Sequence, residues 1–80
     1  MTNNEADDLR TTFGANVRRA RERSGWTQGE LADRLSGHSM TRDKILRLES
    51  GTRPTPLDEA VAIAQALEMR LDDLLMAPRD

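Results

Sequence analysis

The stretch from Thr27 to Gly51, TQGELADRLSGHSMTRDKILRLESG, decides the fold, because it holds two amphipathic segments that each begin with a threonine. The Thr27 hydroxyl can accept the backbone N–H of Glu30, and the Glu30 carboxylate can accept the N–H of Thr27 in return. This reciprocal pair is a strong signal for a helix start. Thr41 is placed to begin a second helix in the same way. The pattern therefore predicts two short helices joined by a turn.

The second of these helices has a polar side that is free to face outward. Met40, Ile45 and Leu48 recur at helical spacing and mark the predicted buried side. The side chains left on the outward side of the first two turns are Arg42, Asp43, Lys44 and Arg47. A short helix whose outward side chains can bond base edges is what reading the DNA major groove requires.

Length and composition indicate one small domain. The chain has 80 residues, of which 36% are apolar, so its single core is modest and a homodimer is expected. It has no cysteine, which excludes a disulfide framework, and no apolar run near the roughly 20 residues of a membrane span. The N-terminus is acidic where a secretory signal would be basic and then apolar. We therefore expect a cytoplasmic protein that needs no cofactor.

The net charge of -2 conceals a strong division along the chain. Residues 1–8 sum to -3, residues 9–53 to +5 and residues 54–80 to -4. Exposed charges more than roughly 8 Å apart are largely screened at physiological salt, so a basic region can attract phosphates while acidic regions face away. The basic region contains the two-helix pattern.

Periodicity along the whole chain predicts an all-α domain of five helices. We expect a flexible acidic N-terminus over 1–8, the domain over 9–76 and a short tail over 77–80. Gly25 is suited to the left-handed position that ends the first helix. Thr55 is expected to cap the fourth helix as a pair with Asp58, with Pro56 in the first helical position. The predicted helices span about 9–24, 28–35, 42–50, 56–67 and 71–76.

Four motifs resemble those of a known family. They are FGANVRRAR at 13–21, GWTQGELA at 25–32, ILRLESG at 45–51 and LDEAVAIAQAL at 57–67. Together they make residues 13–75 similar to the lambda-repressor-like, Cro/C1-type helix-turn-helix DNA-binding family, also called the xenobiotic-response-element type. The resemblance implies a compact five-helix domain in which the second and third helices form the helix-turn-helix.

The resemblance also implies roles for single residues. Arg21 and Glu49 match a structural ion pair between the first and third helices. The positions that match base contacts are Arg42, Asp43 and Arg47. The positions that match or adjoin contacts to the DNA backbone are Thr27, Gln28, Thr41, Lys44, Ser50, Thr52 and Arg53. Arginine can bond guanine O6 and N7, and aspartate can accept from the cytosine amino group, so half-sites containing G·C pairs are expected.

Two features depart from the family pattern. The turn between the motif helices, Ser36 to Ser39, is three residues longer than usual, and it could add Ser36, His38 or Ser39 as phosphate contacts. Glu68 stands where the family favours glycine, which would cost about 1 kcal/mol if the residue is left-handed.

The favoured function is a sequence-specific transcriptional regulator, by the simplest mechanism a repressor, that binds an inverted repeat as a homodimer. The predicted dimer residues are Met69, Leu71, Leu74 and Leu75. Cro-like phage repressors and restriction-modification controllers are similar in plan. The alternatives are an antitoxin-type protein whose acidic C-terminal part binds a partner protein, and a helix-turn-helix used only for protein contacts. An enzyme and a metal site are not expected, because no nucleophile-base pair or phosphate loop occurs and His38 is the single histidine.

Overall fold

The computed structural model describes residues 3–77, with side chains described from residue 5 onward except at position 36. The regular secondary structure of these residues is helical. No strand occurs in that range, in agreement with the predicted all-α class. The α-helices are α1 (Asn3–Arg23), α2 (Gln28–Asp33), α3 (Arg42–Glu49), α4 (Leu57–Ala66) and α5 (Leu71–Leu75). A 3₁₀ turn, Ser36–His38, lies between α2 and α3.

The first helix begins six residues earlier than predicted, at Asn3 rather than near residue 9. Its first turn is acidic, with Glu5, and an acidic side chain there is favoured by the partial positive charge of a helix N-terminus. Asp7 also pairs with Arg10 one turn later. Residues 3–8 are therefore helical. The expectation of flexibility for residues 1–2, and the predicted tail beyond residue 77, lie outside the described residues.

The predicted cap of the fourth helix is wrong. Pro56 occupies the N-cap position with an extended backbone, and no side chain bonds the first N–H groups of α4. Thr55 lies one residue too early for its hydroxyl to serve as that cap. Asp58 and Glu59 do lie in the first turn, where their charge suits the helix dipole.

The core is formed by one apolar side of each helix. The largest fully buried side chains are Val17, Leu31, Ile45, Leu48, Ile63 and Leu74. Helix α1 packs against both α3 and α5, while α2 packs against α3. This arrangement fixes the inner side of α3 and leaves its outer side exposed.

Gly14 allows α1 to approach α3 closely. A Cβ atom at this position would lie 2.2 Å from the Leu48 carbonyl oxygen and 2.8 Å from that of Glu49. Both distances are far below van der Waals contact, so only glycine fits without a shift of one backbone. The glycine of the FGANVRRAR motif therefore sets the spacing between the first helix and the third.

Two positive-φ positions shape the helix ends. Gly25, at φ +76°, follows α1 and donates its N–H to the Glu22 carbonyl, as its predicted capping position requires. Glu68, at φ +56°, follows α4 in the left-handed conformation that the family pattern assigns to glycine. In the described part of the chain, no helix is both long enough and apolar enough to cross a membrane.

Candidate nucleic-acid interface

Helix α2 begins with the reciprocal cap that the sequence predicts. The Glu30 N–H donates to Thr27 Oγ1 at 3.1 Å, and the Thr27 N–H donates to Glu30 Oε1 at 2.9 Å. The hydrogen bond that the Glu30 carboxylate accepts from the Thr27 backbone N–H, and then its interaction with the Thr27 hydroxyl, hold the pKa of Glu30 below its ordinary value. The first turn of α2 is thus fixed at the surface.

The extended turn between α2 and α3 is a single turn of 3₁₀ helix followed by a left-handed residue. The His38 N–H donates to the Leu35 carbonyl at 2.9 Å, and Ser39 has φ +52°. The Lys44 ammonium donates to the Ser39 carbonyl at 3.0 Å, which ties α3 to the turn. The three extra residues of the turn are therefore accommodated within this 3₁₀ turn and the left-handed residue that follows it. The side chain of Ser36, one of the extra phosphate contacts expected, lies outside the described atoms.

Helix α3 presents the three predicted base-contacting residues on its exposed side. Asp43 and Arg47 lie one turn apart and form an ion pair of 3.1 Å. Arg42 is exposed, and within the described residues it has no ion-pair partner. Thr41 caps the helix by accepting the Lys44 N–H at 3.2 Å, so its own hydroxyl hydrogen is not used by that bond. Arg42, Asp43 and Arg47 are all accessible to a ligand.

Leu46 lies on the same exposed side and was missed in the sequence reasoning. Its side chain is 50% exposed. The signal was available: position 46 is three residues after Asp43 and four after Arg42, so helical periodicity places it on the outward side.

Arg21, which is buried, forms a polar cluster with Glu49 and the half-buried Gln28 beneath the last turn of α3. The Arg21 guanidinium donates to both carboxylate oxygens of Glu49, at 2.7 and 3.0 Å, and to the Trp26 carbonyl at 2.7 Å. The hydrogen bond to Glu49, whose side chain is only 3% exposed, raises the pKa of Arg21. Gln28 donates its amide to the same carboxylate at 3.1 Å. The predicted ion pair thus also holds the start of α2.

The loop after α3 turns most of its polar groups back onto the helix. The Ser50 and Thr52 hydroxyls donate to the Arg47 carbonyl, at 2.9 and 3.2 Å, and therefore cap the C-terminus of α3. Arg53 binds both carboxylate oxygens of Glu59, at 2.9 and 3.3 Å. For any of the three to contact phosphate, its present hydrogen bonds must be exchanged or shared.

The predicted dimer residues are not all accessible. Leu74 is 0% exposed, so its predicted role at an interface is wrong: its side chain belongs to the core. Asn16 fixes this segment by donating its amide to the carbonyls of Leu74 and Met76, at 2.9 and 2.8 Å. Met69 and Leu71 are half-buried against the core, and Leu75 is exposed.

Leu75 lies at an apolar groove between α1, α4 and α5. Leu9 and Leu57 are the other exposed leucines that line it, and Phe13 and Leu71 lie deeper. Leu57 is 72% exposed, the most of any large apolar side chain among the described residues. The groove was not predicted, because it needs residues from three separated segments to come together.

Trp26 and His38 are both partly buried. Trp26 packs against the core, and the Arg34 guanidinium lies over its ring, 4.0 Å from the ring centroid. His38 is half-buried in the 3₁₀ turn. Within residues 3–77, no three side chains of the metal-binding types come together as a candidate metal site.

Comparison with known families agrees with this arrangement. The sequence model of a helix-turn-helix domain family matches residues 12–79, which include every helix from the C-terminal part of α1 onward. No similarity to a curated protein or to a solved structure is detected. Because the match spans most of the chain, the protein belongs to the helix-turn-helix domain family.

Proposed function

We propose that the protein is a sequence-specific transcriptional regulator that binds double-stranded DNA as a homodimer, with α3 in the major groove. One observation carries the proposal: α3 is held in the core by Ile45 and Leu48 while its opposite side exposes Arg42, Asp43 and Arg47. Family membership supports a DNA-binding regulator in general terms. The exposed arginine and aspartate side chains support the more specific proposal of sequence-specific binding, because both types bond base edges.

Arg42 and the Asp43–Arg47 pair have different parts in this proposal. Arg42 lies in the first turn of α3 and offers guanidinium donors for guanine O6 and N7. Asp43 accepts from a cytosine amino group, and its ion pair with Arg47 is exposed and therefore weak. Each member of the pair can exchange its partner for a base, so the site favours half-sites that contain G·C pairs.

The phosphate contacts are proposed to flank α3 on both sides. At the start of α2 are Thr27, which caps the helix, and Gln28, whose amide would exchange or share its present hydrogen bond with Glu49 on binding. Thr41 and Lys44 adjoin the start of α3. On the far side are Ser50, Thr52 and Arg53, which would exchange or share their present hydrogen bonds on binding.

Two molecules are proposed to pair through the region of α5 that remains accessible. Leu75, with the half-buried Leu71 and Met69, supplies apolar surface, and Leu9 and Leu57 extend it across the groove. A two-fold contact there would set two copies of α3 on successive major grooves, with half-site centres about 34 Å apart. Occlusion of a promoter by such a dimer is the simplest route to repression.

A second candidate function is the binding of a partner protein in the manner of an antitoxin. The 72% exposure of Leu57 beside the apolar groove supports it as it supports the homodimer, because an exposed apolar surface of this kind is typical of a contact with another protein. In this case the groove would hold the partner rather than a second copy, while α3 would still bind DNA.

Selection of bound duplexes from a random pool, read by sequencing, tests the proposed function. The expected result is a consensus with two-fold symmetry and G·C pairs in each half-site. The same selection with Arg42→Ala and Arg47→Ala combined should lose that consensus while still retaining some DNA through phosphate contacts. A pool that stays random with the parent protein would contradict sequence-specific binding.

A further inference from the structure

Leu46 is an apolar side chain on an otherwise charged and polar surface. Half of it is exposed, while its neighbours Ile45 and Leu48 on the same helix are fully buried. It lies three residues after Asp43 and four before Ser50, so these side chains share one outward stripe with Cβ atoms about 5–6 Å apart. An apolar group thus occupies the middle of the stripe that is proposed to face DNA.

The Leu46 side chain does not contribute to the packing of the core. It is not one of the buried residues of the core, nor one of the partly buried apolar residues packed against it. The apolar groove that collects Leu9, Leu57 and Leu75 does not include it either. Its place on the outward side of α3 makes it available to a ligand that binds this helix.

Major-groove chemistry offers one apolar partner for such a side chain. The C5-methyl group of thymine projects into the major groove, and apolar side chains contact it there, whereas the other base edges present hydrogen-bonding groups. We propose that Leu46 recognises a thymine in each half-site by contact with its C5-methyl group. This inference rests on the proposed function, because it assumes that α3 lies in the major groove.

Replacing thymine with uracil tests the contact, since uracil lacks only the methyl group. Each thymine of the selected consensus is replaced in turn, in both half-sites, and the dissociation constant is measured by fluorescence anisotropy. For the parent protein, replacement at one position should weaken binding about fourfold for each half-site, the equivalent of one buried methyl group. For Leu46→Ala, the thymine and uracil duplexes should bind equally well.

Val61→Ala provides the matched control. Val61 is also an exposed aliphatic residue on a helix, at 39%, but it lies on α4 rather than α3. This variant should retain the full uracil effect. Because the measured quantity is a ratio within each variant, a general loss of affinity in Leu46→Ala does not affect it, and circular dichroism verifies that each variant is folded.

Two results would overturn the inference while leaving the proposed function intact. One is a parent protein that selects a consensus but binds every uracil-substituted duplex as tightly as the original. The other is a Leu46→Ala variant that keeps the parent's uracil effect, since another residue would then contact the methyl group. A parent protein that selects no sequence would overturn both the inference and the proposed function.

Discussion

Asp43 is the one acidic side chain among the proposed base contacts, and it holds Arg47 in an ion pair of 3.1 Å. Asp43→Ala removes a negative charge that repels phosphate and releases Arg47. A phosphate about 8 Å away interacts with such a charge by about 0.5 kcal/mol in water, so non-specific affinity should rise roughly twofold to threefold. The variant should also lose the preference for cytosine at one position of the selected site.

Anisotropy titrations of Asp43→Ala on random and selected duplexes, over a range of salt concentrations, measure both effects. Glu22→Ala is the control, because Glu22 also forms an exposed ion pair of this spacing, with Arg18 on α1. Unchanged selection by Asp43→Ala would show that this carboxylate does not read a base.

Single residues differed in how well the sequence predicted their surroundings. The partners of Arg21 and Glu49 could be predicted because the family motifs fix both positions, and the Thr27 cap because its bonds are local. The engagement of Arg53 with Glu59 could not, since it depends on how the loop after α3 meets α4. Side chains that bond across separated segments require the packed structure.

The close approach of α1 and α3 depends on Gly14. Gly14→Ala would force its Cβ to 2.2 Å from the Leu48 carbonyl oxygen, and the two helices would have to separate. Overpacking of this kind costs typically about 1–3 kcal/mol, so the free energy of unfolding should fall by that amount in urea titrations. DNA binding should weaken too, because the shift displaces α3.

Gly29→Ala is the matched control for that change. A Cβ atom at Gly29 would meet nothing nearer than Thr27 Oγ1, at 3.9 Å, and alanine is the better helix former by about 1 kcal/mol. Gly29→Ala should therefore stabilise the protein while Gly14→Ala destabilises it. Equal and small effects of the two substitutions would contradict the tight α1–α3 packing.

The number and order of the helices could be predicted from the sequence, but their exact start residues were harder to predict. The apolar spacing identified all five helices, and the caps at Thr27 and Thr41 fixed two starts. The start of α1 at Asn3 was missed because its first two turns bear little apolar pattern. The start of α4 was missed because Thr55 matches a cap in composition, while Pro56 takes that position in the structure.

The proposed homodimer depends on apolar surface that is exposed in the monomer. Leu75→Asp should abolish cooperative binding to a full inverted repeat, because it puts a charge into the proposed contact, while binding to an isolated half-site changes little. Leu75→Met keeps an apolar side chain of similar volume and should bind like the parent. Mobility-shift titrations on full and half sites distinguish these cases.

Circular dichroism should show both Leu75 variants to be helical, because Leu75 is exposed in the monomer. If Leu75→Asp occupies the full inverted repeat as cooperatively as the parent, the two copies meet elsewhere. The apolar groove would then be left for a partner protein, as in the antitoxin-type function.

The contact between Arg42 and a guanine tests the central claim, that the outward side of α3 reads bases, most directly. Each guanine of the selected site is replaced in turn with 7-deazaguanine, which removes the N7 acceptor from the major groove. At one position per half-site the parent should lose about 1–3 kcal/mol of binding free energy, and Arg42→Ala should bind both duplexes equally. If the parent binds every substituted duplex as tightly as the original, or Arg42→Ala shows the same loss as the parent, Arg42 does not read guanine in the major groove.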